Sequence, residues 1–514
     1  MSLTRVSRRQ WIIRVLAVSV AMELGAFVRL FIVATGDFPL NDGGLFLVMT
    51  RDVMQANFAL PAFSSYNAIH MPFVYPPLGF YIVGIIASVS HWPLLDIVRF
   101  FPVVVNILTI PAMYILARTV LNSRTQAIYA TFAFALLPRA FFWLIMGGGL
   151  TRSVGFFFAI LAMQQAYLMY TTRQRRYIVS TSVLSALTVL SHPEMMLYAA
   201  CSIAVFFVFR GRNRDGVIHS ILVVVGTLLL TAPWWLQVVS QHGLTPFLSA
   251  FSTGEQSPFV SIALLLTGVG FVEQTLLGVI ALLGVVKCLA DRKYLLPVWL
   301  VSIFVIEPRS AQTFAVIVVA LLIGVEVDEV LLPSLRKVVS TTAIPATTRN
   351  RLATGVLMFM LLAYSTVTAM SAPIPVLAKD ERDAMAWAEA NTPAGSKFVM
   401  LTGYNWYEDA ISEWFPVLSA RYSVATVQGF EWFPGKEFIK RQEQHKALQA
   451  CADKNVKCLE QWAQRARTDY SYVYISTGKF KNSALQTALN TSSDYECVYS
   501  GPGAVIFQRR FVSF

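Results

Sequence analysis

The chain has 514 residues, of which 56% are hydrophobic and only 14% are charged, a composition too apolar for a soluble enzyme of this length. Lysine and arginine together number 41 against 29 aspartates and glutamates, so the formal net charge is +12. In a soluble protein this charge would suggest nucleic acid as a partner. Here the basic excess lies between long apolar segments of the first 372 residues, which excludes nucleic-acid binding and favours a membrane protein.

Eleven apolar segments are predicted to be membrane spans, since a helix needs about 20 apolar residues to cross a bilayer. The apolar run from Pro76 to Ser90 is not counted, because counting it would place Arg118, Arg173 and Arg210 on the outer side. We interpret it as a helix lying in the outer interface. The predicted spans cover residues 11–34, 97–117, 126–146, 153–171, 177–192, 195–209, 217–240, 259–286, 294–306, 311–331 and 352–371.

The distribution of basic residues predicts the orientation of these spans. With the N-terminus inside, every inner connection contains arginine or lysine, as expected for cytoplasmic loops. An odd number of spans then places residues 373–514 outside. We therefore expect a transmembrane domain over residues 1–372 with a first outer loop at 35–96, and an extracytoplasmic α/β domain over 373–514. No organelle signal is apparent, which favours the plasma membrane.

The C-terminal region alternates helix and strand patterns, as expected for an α/β domain. No glycine-rich nucleotide fingerprint precedes any of its helices, so a nucleotide cofactor is not indicated. A bridge between Cys451 and Cys458 would suit an oxidising compartment, but free thiols fit the sequence equally well. The predicted helices are Asp380 to Ala390, Glu437 to Ala452 and Asn482 to Leu489, and the predicted strands are Lys397 to Leu401, Tyr472 to Ile475, Glu496 to Tyr499 and Ala504 to Gln508.

Charged and polar side chains recur at the outer ends of the predicted spans. Ionisable groups at membrane depth are costly, and by default they indicate a functional site. Since these residues come from distant stretches of sequence yet share one depth, we predict that they line a cavity open to the outside. They are Asp37, Asp42, Arg152, His192, Glu194, Glu307 and Arg309.

Each of these residues has a functional and a structural interpretation. Asp42 precedes an amphipathic stretch, where it could accept a proton from a hydroxyl group or act as a helix N-cap. Arg152 and Arg309 could bind a lipid phosphate or form ordinary salt bridges, for instance between Arg309 and Glu307.

Three aromatic and polar residues near helix ends are also open to two interpretations. His192 and Glu194 flank Pro193, and they could form a proton relay, a sugar clamp or a metal site, or simply have a structural role. Trp234 could stack on a sugar or belong to the aromatic belt at the membrane interface.

Several short motifs resemble those of the GT-C superfamily of membrane glycosyltransferases, and the likeness extends over the layout of nearly the whole chain. Asp42 stands where family members have an aspartate after the first span, with Gly43 where a glutamate often follows. Tyr75-Pro76-Pro77-Leu78 is similar to a His-Pro-Pro-Leu or Lys-Pro stretch, with tyrosine in place of the cation and His70 close by. Ala232-Pro233-Trp234-Trp235 resembles a Pro-Trp motif, and Glu307-Pro308-Arg309 a basic pair that contacts the lipid phosphate.

The resemblance implies a GT-C-like polytopic helical fold and inverting sugar transfer on the outer face of the membrane. The donor would be a polyprenyl-phosphate sugar and the acceptor a glycan, a lipid or a protein. Asp42 would be the base, and Arg309 with Arg152 would bind the donor phosphate. Some relatives have a second aspartate where this chain has Arg152, so a divalent metal is not carried over and metal use stays open.

Two other classes of protein fit the same sequence. A carrier or lipid flippase also needs charges within the membrane, but it would place them near the midplane and often in paired repeats, and no repeat is found. A non-catalytic GT-C-like protein is the other alternative, since the first-loop motif keeps one clear acid. Glu413-Trp414-Phe415-Pro416 distantly resembles an acceptor motif of oligosaccharyltransferases but lacks its Trp-Trp-Asp core.

Overall fold

The computed structural model describes residues 5–252, 276–306, 310–338, 345–371, 374 and 376–510. The first half of the chain is a bundle of helices joined by short turns. Its elements are α1 Arg5–Thr35, α2 Gly44–Gln55, β1 Phe63–Ser64, β2 Met71–Pro72, α3 Leu78–Ser90, α4 Leu94–Leu121, α5 Arg124–Leu136, α6 Gly149–Thr172, α7 Arg176–Val189, α8 Pro193–Phe206, α9 Arg214–His242 and α10 Thr245–Ser252.

The described residues of the apolar part include five further helices: Leu276–Ala290, Leu295–Ile306, Ala311–Glu326, Leu332–Val338 and Ala346–Ser371. Within the described ranges, five helices are long and apolar enough to cross a membrane, namely Trp11–Thr35, Leu94–Leu121, Gly149–Thr172, Pro193–Gly211 and Arg214–His242. Leu78–Ser90, Arg176–Val189, Leu276–Ala290 and Leu295–Ile306 are apolar but shorter. The number of eleven spans therefore stays a prediction, as does the assignment of Leu78–Ser90 to the interface.

One predicted span differs clearly from the structure. The sequence predicts a continuous helix over residues 126–146, but α5 ends at Leu136 and the chain continues in turns to Gly148. The cause is Pro138, because the residue before a proline is driven out of the helical region, and Leu137 is extended with φ −70° and ψ 120°. The break brings a short loop, residues 137–148, to the end of the bundle.

A buried arginine and a buried asparagine bind two of the backbone carbonyls beside this break. The Arg29 guanidinium of α1 donates to the carbonyl of Ala135 at 2.7 Å and to the side chain of Asn106 at 2.6 Å. Asn106 in turn donates to the carbonyl of Ala140 at 3.1 Å. Since the carbonyls at a helix C-terminus carry partial negative charge, they compensate the arginine, and the loop that follows is held in one conformation.

The C-terminal part is built around a five-stranded sheet with helices beside it. Its strands are β3 Lys397–Leu401, β4 Tyr422–Ser423, β5 Tyr472–Ser476, β6 Tyr495–Ser500 and β7 Ala504–Arg509, and its helices are Lys379–Asn391, Ala410–Ser419, Glu437–Gln449, Val456–Ala466, Thr477–Phe480 and Ala484–Thr491. The strand order is β4-β3-β5-β7-β6, in which β3 is parallel to β4 and β5, and β7 is antiparallel to β5 and β6.

Most of these elements agree with the positions that the sequence pattern predicts. Strands β3, β5, β6 and β7 lie where the pattern predicts them, whereas it predicts neither Ala410–Ser419 nor Val456–Ala466 as a helix. Cys451, in the turn after the helix Glu437–Gln449, forms a disulfide with Cys458 in the first turn of the helix Val456–Ala466. The division into two domains, and the side of the membrane on which each lies, stay predictions.

The first loop and the C-terminal sheet share one hydrophobic core. This cluster joins Phe38, Met49 and Phe80 of the first loop and its helices to Phe398 and Trp414 of the C-terminal part. A backbone bridge between Leu40 and Val376 adds a second connection. The turn between α1 and α2 therefore lies between the helix bundle and the sheet, and this position decides the geometry of the site.

Candidate functional site

The turn that carries Asp42 is fixed by two residues with positive φ, Asn41 at 49° and Gly43 at 125°. One oxygen of the Asp42 carboxylate accepts a hydrogen bond from the backbone N–H of Gly148 at 2.9 Å. The other lies 2.5 Å from Nη2 of Arg152, with side-chain exposures of 15% for Asp42 and 6% for Arg152. The structure thus brings together two of the site residues predicted from sequence.

Glycines make this approach possible. A Cβ atom on Gly147 would lie 1.9 Å from the carbonyl oxygen of Asp42, and one on Gly148 would lie 2.8 Å from its carboxylate. On the other side of the contact, a Cβ on Gly43 would lie 2.8 Å from the Cα of Gly147. The glycines on both sides are therefore needed for contact between the two turns.

Arg152 lies in the first turn of α6, where the loop of residues 137–148 surrounds it. Its guanidinium carbon lies 4.1 Å from the centre of the Trp143 ring, a cation–π contact. Its Nε atom is buried and makes no hydrogen bond with any described residue. A guanidinium that is oriented by an aromatic ring and retains hydrogen-bonding capacity is suited to bind a planar or tetrahedral anion.

A second carboxyl group reaches the same turn from the C-terminal part. Glu413 Oε1 accepts hydrogen bonds from the N–H groups of Gly43 at 2.9 Å and Leu45 at 3.3 Å. Burial, and then the neighbouring charge of Asp42, raises the pKa of Glu413 to about 8, although the two N–H donors and Arg152 act in the opposite direction. At neutral pH this group therefore holds a proton.

Tyr75 lies beside the pair of Asp42 and Arg152 and contacts several further residues. Its hydroxyl lies 3.3 Å from that of Thr151 on α6, and its ring centre lies 5.2 Å from that of Phe46, 5.6 Å from Trp432 and 5.9 Å from His192. Burial raises the pKa of Tyr75, and the charges of Arg152, Glu194 and Glu431 also act on it. The tyrosine is therefore a neutral, aromatic wall of the site.

His192 and Glu194 reach the site from the start of α8. His192 is buried and is the residue that precedes the helix, and its ring faces Tyr75. The carboxylate of Glu194 accepts a hydrogen bond from Ser310 at 3.1 Å, just before the helix Ala311–Glu326. The break at Pro193 thus carries two polar side chains to the region of Tyr75.

Three other predicted residues have different surroundings. Asp37 makes two hydrogen bonds with Arg382 of the C-terminal part, at 2.5 Å and 3.0 Å, and its pKa is lowered chiefly by that arginine. His70 is exposed and contacts Phe63, while Trp234 packs against Phe247 of α10. Glu307 and Arg309 lie outside the described residues.

The sequence leaves metal binding open. Within the described ranges, no group of three or more histidine, cysteine, aspartate or glutamate residues is arranged to hold a metal ion. The protein groups that the site contributes are a carboxylate, a guanidinium, a protonated carboxyl and an aromatic wall.

Several members of the site are not identified from the sequence as members. Thr151, Trp143 and Trp432 carry no signal of their own, and Glu413 is visible only within a distant acceptor-motif likeness. The tripeptide Gly147-Gly148-Gly149 is the available signal for close backbone approach, and the structure shows that approach to be toward Asp42.

The solved structures with a similar fold include membrane glycosyltransferases. ArnT from Cupriavidus metallidurans bound to undecaprenyl phosphate matches with a TM-score of 0.55 and 14% identity, over 98% of each chain. The archaeal oligosaccharyltransferase AglB from Archaeoglobus fulgidus, in complex with an inhibitory peptide and a dolichol-phosphate, matches with a TM-score of 0.54 and 14% identity, over 91% of this chain and 70% of that one.

A third likeness extends over part of a larger protein. The arabinofuranosyltransferase AftD from Mycobacteria matches with a TM-score of 0.50 and 15% identity, over 99% of this chain and 42% of that one. No family model and no curated protein matches the sequence. The structural likenesses confirm the GT-C fold that the sequence motifs indicate, in a multi-pass membrane protein.

Proposed function

We propose that this chain, which has the GT-C fold, is an inverting glycosyltransferase that moves a sugar from a polyprenyl-phosphate donor to an acceptor on the outer face of the plasma membrane. The observation that carries this proposal is the contact of 2.5 Å between Asp42 and Arg152. It places a proton acceptor directly beside an anion-binding group, and these are the two functions that such a transfer needs.

In the proposed reaction, Asp42 accepts the proton of an acceptor hydroxyl as its oxygen attacks the anomeric carbon. A new bond forms between that carbon and the acceptor oxygen, and the bond between the carbon and the donor phosphate oxygen breaks. The bonding electrons leave with the lipid phosphate, whose growing negative charge Arg152 stabilises. Attack from the face opposite to the phosphate inverts the configuration at the anomeric carbon.

The ion pair of Asp42 with Arg152 is consistent with a site awaiting its donor. A phosphate oxygen would compete with Asp42 for Arg152, since charge-assisted hydrogen bonds to either anion are strong. If the Arg152 guanidinium exchanged its bond with Asp42 for one with the phosphate, the carboxylate would be available for the acceptor hydroxyl. The same exchange would couple donor binding to activation of the base.

An apolar cavity between helices is suited to the lipid tail. Its volume is about 710 Å³, and it lies between the helices Leu276–Ala290, Leu295–Ile306 and Ala311–Glu326. The side chains that line it include Leu282, Val298, Val305 and Val319. Isoprenoid chains bind such surfaces through apolar contacts, and the last of these helices begins next to Ser310, which contacts Glu194.

We further propose that the aromatic wall and the C-terminal part select the substrates. Tyr75, Phe46 and Trp432 form neighbouring ring contacts beside the catalytic pair, and aromatic faces of this kind pack against sugar rings. Glu194 and His192 are candidates for contacts with sugar hydroxyls. The C-terminal α/β region would cover the outer end of the bundle and contact the acceptor.

The enzyme and carrier alternatives differ in their products. In proteoliposomes supplied with a radiolabelled polyprenyl-phosphate sugar and a cell-envelope acceptor fraction, we expect stoichiometric appearance of free polyprenyl phosphate and of labelled acceptor. The sugar–phosphate bond breaks in a transferase, whereas a flippase moves the intact lipid across the bilayer. Label that crosses the membrane while still bound to lipid, with no free polyprenyl phosphate formed, would contradict the proposal.

Arg309 is proposed as a second phosphate ligand on the basis of its motif. Replacing Arg309 by Ala is expected to weaken donor binding by about 10-fold or more, because a hydrogen bond to a charged group contributes about 1.5–3 kcal/mol. The measurement is the apparent affinity for the lipid donor, with turnover at saturating donor as a second readout. Arg292→Ala, an arginine in the turn after Leu276–Ala290, is the matched control. An unchanged donor affinity in Arg309→Ala would remove Arg309 from the site.

A further inference from the structure

Helix α2 begins at Gly44, two residues after Asp42, and its N-cap residue makes no side-chain hydrogen bond to the first turn. Its N-cap residue is Gly43, which has no side chain to accept the free N–H groups of the first turn. The acceptor is supplied by Glu413 from a segment 370 residues away in the chain. The bonds to Gly43 at 2.9 Å and Leu45 at 3.3 Å place this carboxyl group at the helix N-terminus.

Residues next to Glu413 attach to the same turn. Trp414 donates through Nε1 to the carbonyl of Asn41 at 3.0 Å, so residues on both sides of Asp42 are held by consecutive residues of one helix. The hydroxyl of Tyr66, in the first loop, donates to the backbone carbonyl of Glu413 at 2.9 Å. Glu413 and Trp414 are themselves buried, with exposures of 2% and 0%, so their positions are determined by packing.

From these contacts we infer that Glu413 is a positioning residue for catalysis: its side chain holds the backbone on the C-terminal side of Asp42, so that the carboxylate meets both Arg152 and the acceptor hydroxyl. The inference rests on the proposed function, since it assigns to Glu413 a role that acts through Asp42. An error of about 1 Å in such a group can lower a rate about 100-fold.

The charge state of Glu413 agrees with this role. The charged groups that act on the Glu413 carboxyl group are Asp42 of the first loop and Arg152 of α6, while the Tyr66 hydroxyl contacts the backbone carbonyl of the same residue. Because its pKa is raised to about 8, the carboxyl group is neutral at pH 7 and adds no negative charge where a phosphate anion must bind. Glutamine has the same shape and keeps an oxygen for both N–H groups, so it imitates this protonated form.

The test compares Glu413→Ala with Glu413→Gln at pH 7 in proteoliposomes. We expect Glu413→Ala to lower kcat by about 30-fold or more while donor affinity changes by less than about threefold, because the base is displaced and the phosphate contacts remain. Glu413→Gln is expected to retain kcat within about fivefold, since the two hydrogen bonds are preserved. Glu443→Gln, an exposed glutamate of the helix Glu437–Gln449, is the control.

A loss of kcat from general unfolding would not show this pattern, since donor affinity and thermal stability would fall with it. If Glu413→Ala does not fold, Glu413→Asp provides the same comparison, because its side chain is one methylene too short to keep both bonds and kcat should again fall more than in Glu413→Gln. The inference is overturned if Ala or Asp at this position leaves kcat unchanged, or if kcat and donor affinity fall equally.

The outcome for Asp42→Asn separates this inference from the proposed function. If Asp42→Asn is inactive and Glu413→Ala retains full kcat, the positioning role is wrong and the proposed base stands. If Asp42→Asn transfers sugar at the normal rate, the proposed mechanism itself is wrong, whatever Glu413→Ala does.

Discussion

Replacing Asp42 by Asn is expected to lower sugar transfer by about 1,000-fold or more, because general-base catalysis contributes about 100- to 10,000-fold and asparagine cannot accept the proton. The substitution keeps the size of the side chain and an oxygen that can accept the bond from Gly148 N–H, which is 2.9 Å long in the structure. The protein should therefore fold, and the measurement is initial transfer rate at saturating donor.

The controls for Asp42→Asn separate chemistry from binding. Donor affinity should be unchanged or improved, because Arg152 is then no longer paired with a carboxylate and can turn fully to the phosphate. Asp469→Asn, which breaks an exposed ion pair with Lys397, makes the same chemical change elsewhere and should keep the normal rate. Normal transfer by Asp42→Asn in proteoliposomes would exclude this residue as the base.

Replacing Arg152 by Gln is expected to lower transfer by about 100- to 1,000-fold, the range found when a group that stabilises developing negative charge is removed. Donor affinity should fall as well, since the guanidinium would bind the phosphate before as well as during reaction. Arg152→Lys should recover little of the transfer rate. The lysine ammonium group is a point charge, which cannot keep both the stacking on Trp143, 4.1 Å away in the structure, and a bidentate hydrogen bond with an anion.

Stability measurements identify the part of this loss that comes from folding. Arg152→Gln leaves Asp42, which is 15% exposed, without its cation, so thermal stability should fall. The double variant with Asp42→Asn removes both charges and should recover stability without recovering activity. Arg173→Gln, which breaks an exposed pair with Asp215 at 3.8 Å, is the matched control. A double variant that regained transfer would contradict both roles, Asp42 as the base and Arg152 as the phosphate ligand.

The sequence is sufficient to predict residues whose type conflicts with their surroundings. Asp42 and Arg152 are ionisable groups at the ends of apolar segments, and the cost of placing charge there makes each a candidate from its sequence position alone. Their contact at 2.5 Å cannot be predicted in this way, because it depends on the loop that follows the early end of α5. Pro138 is the visible signal for that end, but the apolar run continues past it and therefore resembles one uninterrupted span.

Glu413, in contrast, is a site residue that the sequence pattern does not identify. It belongs to a C-terminal part of the chain in which glutamates are common and usually exposed, so neither hydropathy nor spacing distinguishes it. Its role comes from packing between segments 370 residues apart. The same holds for Trp432, which contacts Tyr75 only because the first loop and the C-terminal sheet share one core. Contacts of this kind depend on tertiary structure, which the local patterns do not record.

The shared core also has a consequence for biosynthesis. The turn of residues 41–45 acquires its contacts with Glu413 and Trp414 only after those residues have been synthesised and have reached the same side of the membrane. A nascent chain that has inserted all its helices up to Ser371 still lacks the two residues that hold the backbone on either side of Asp42. Protein made only as far as Ser371 is therefore expected to be inactive, and the proposed use of lipid-linked sugar would begin only when the helix Ala410–Ser419 is in place.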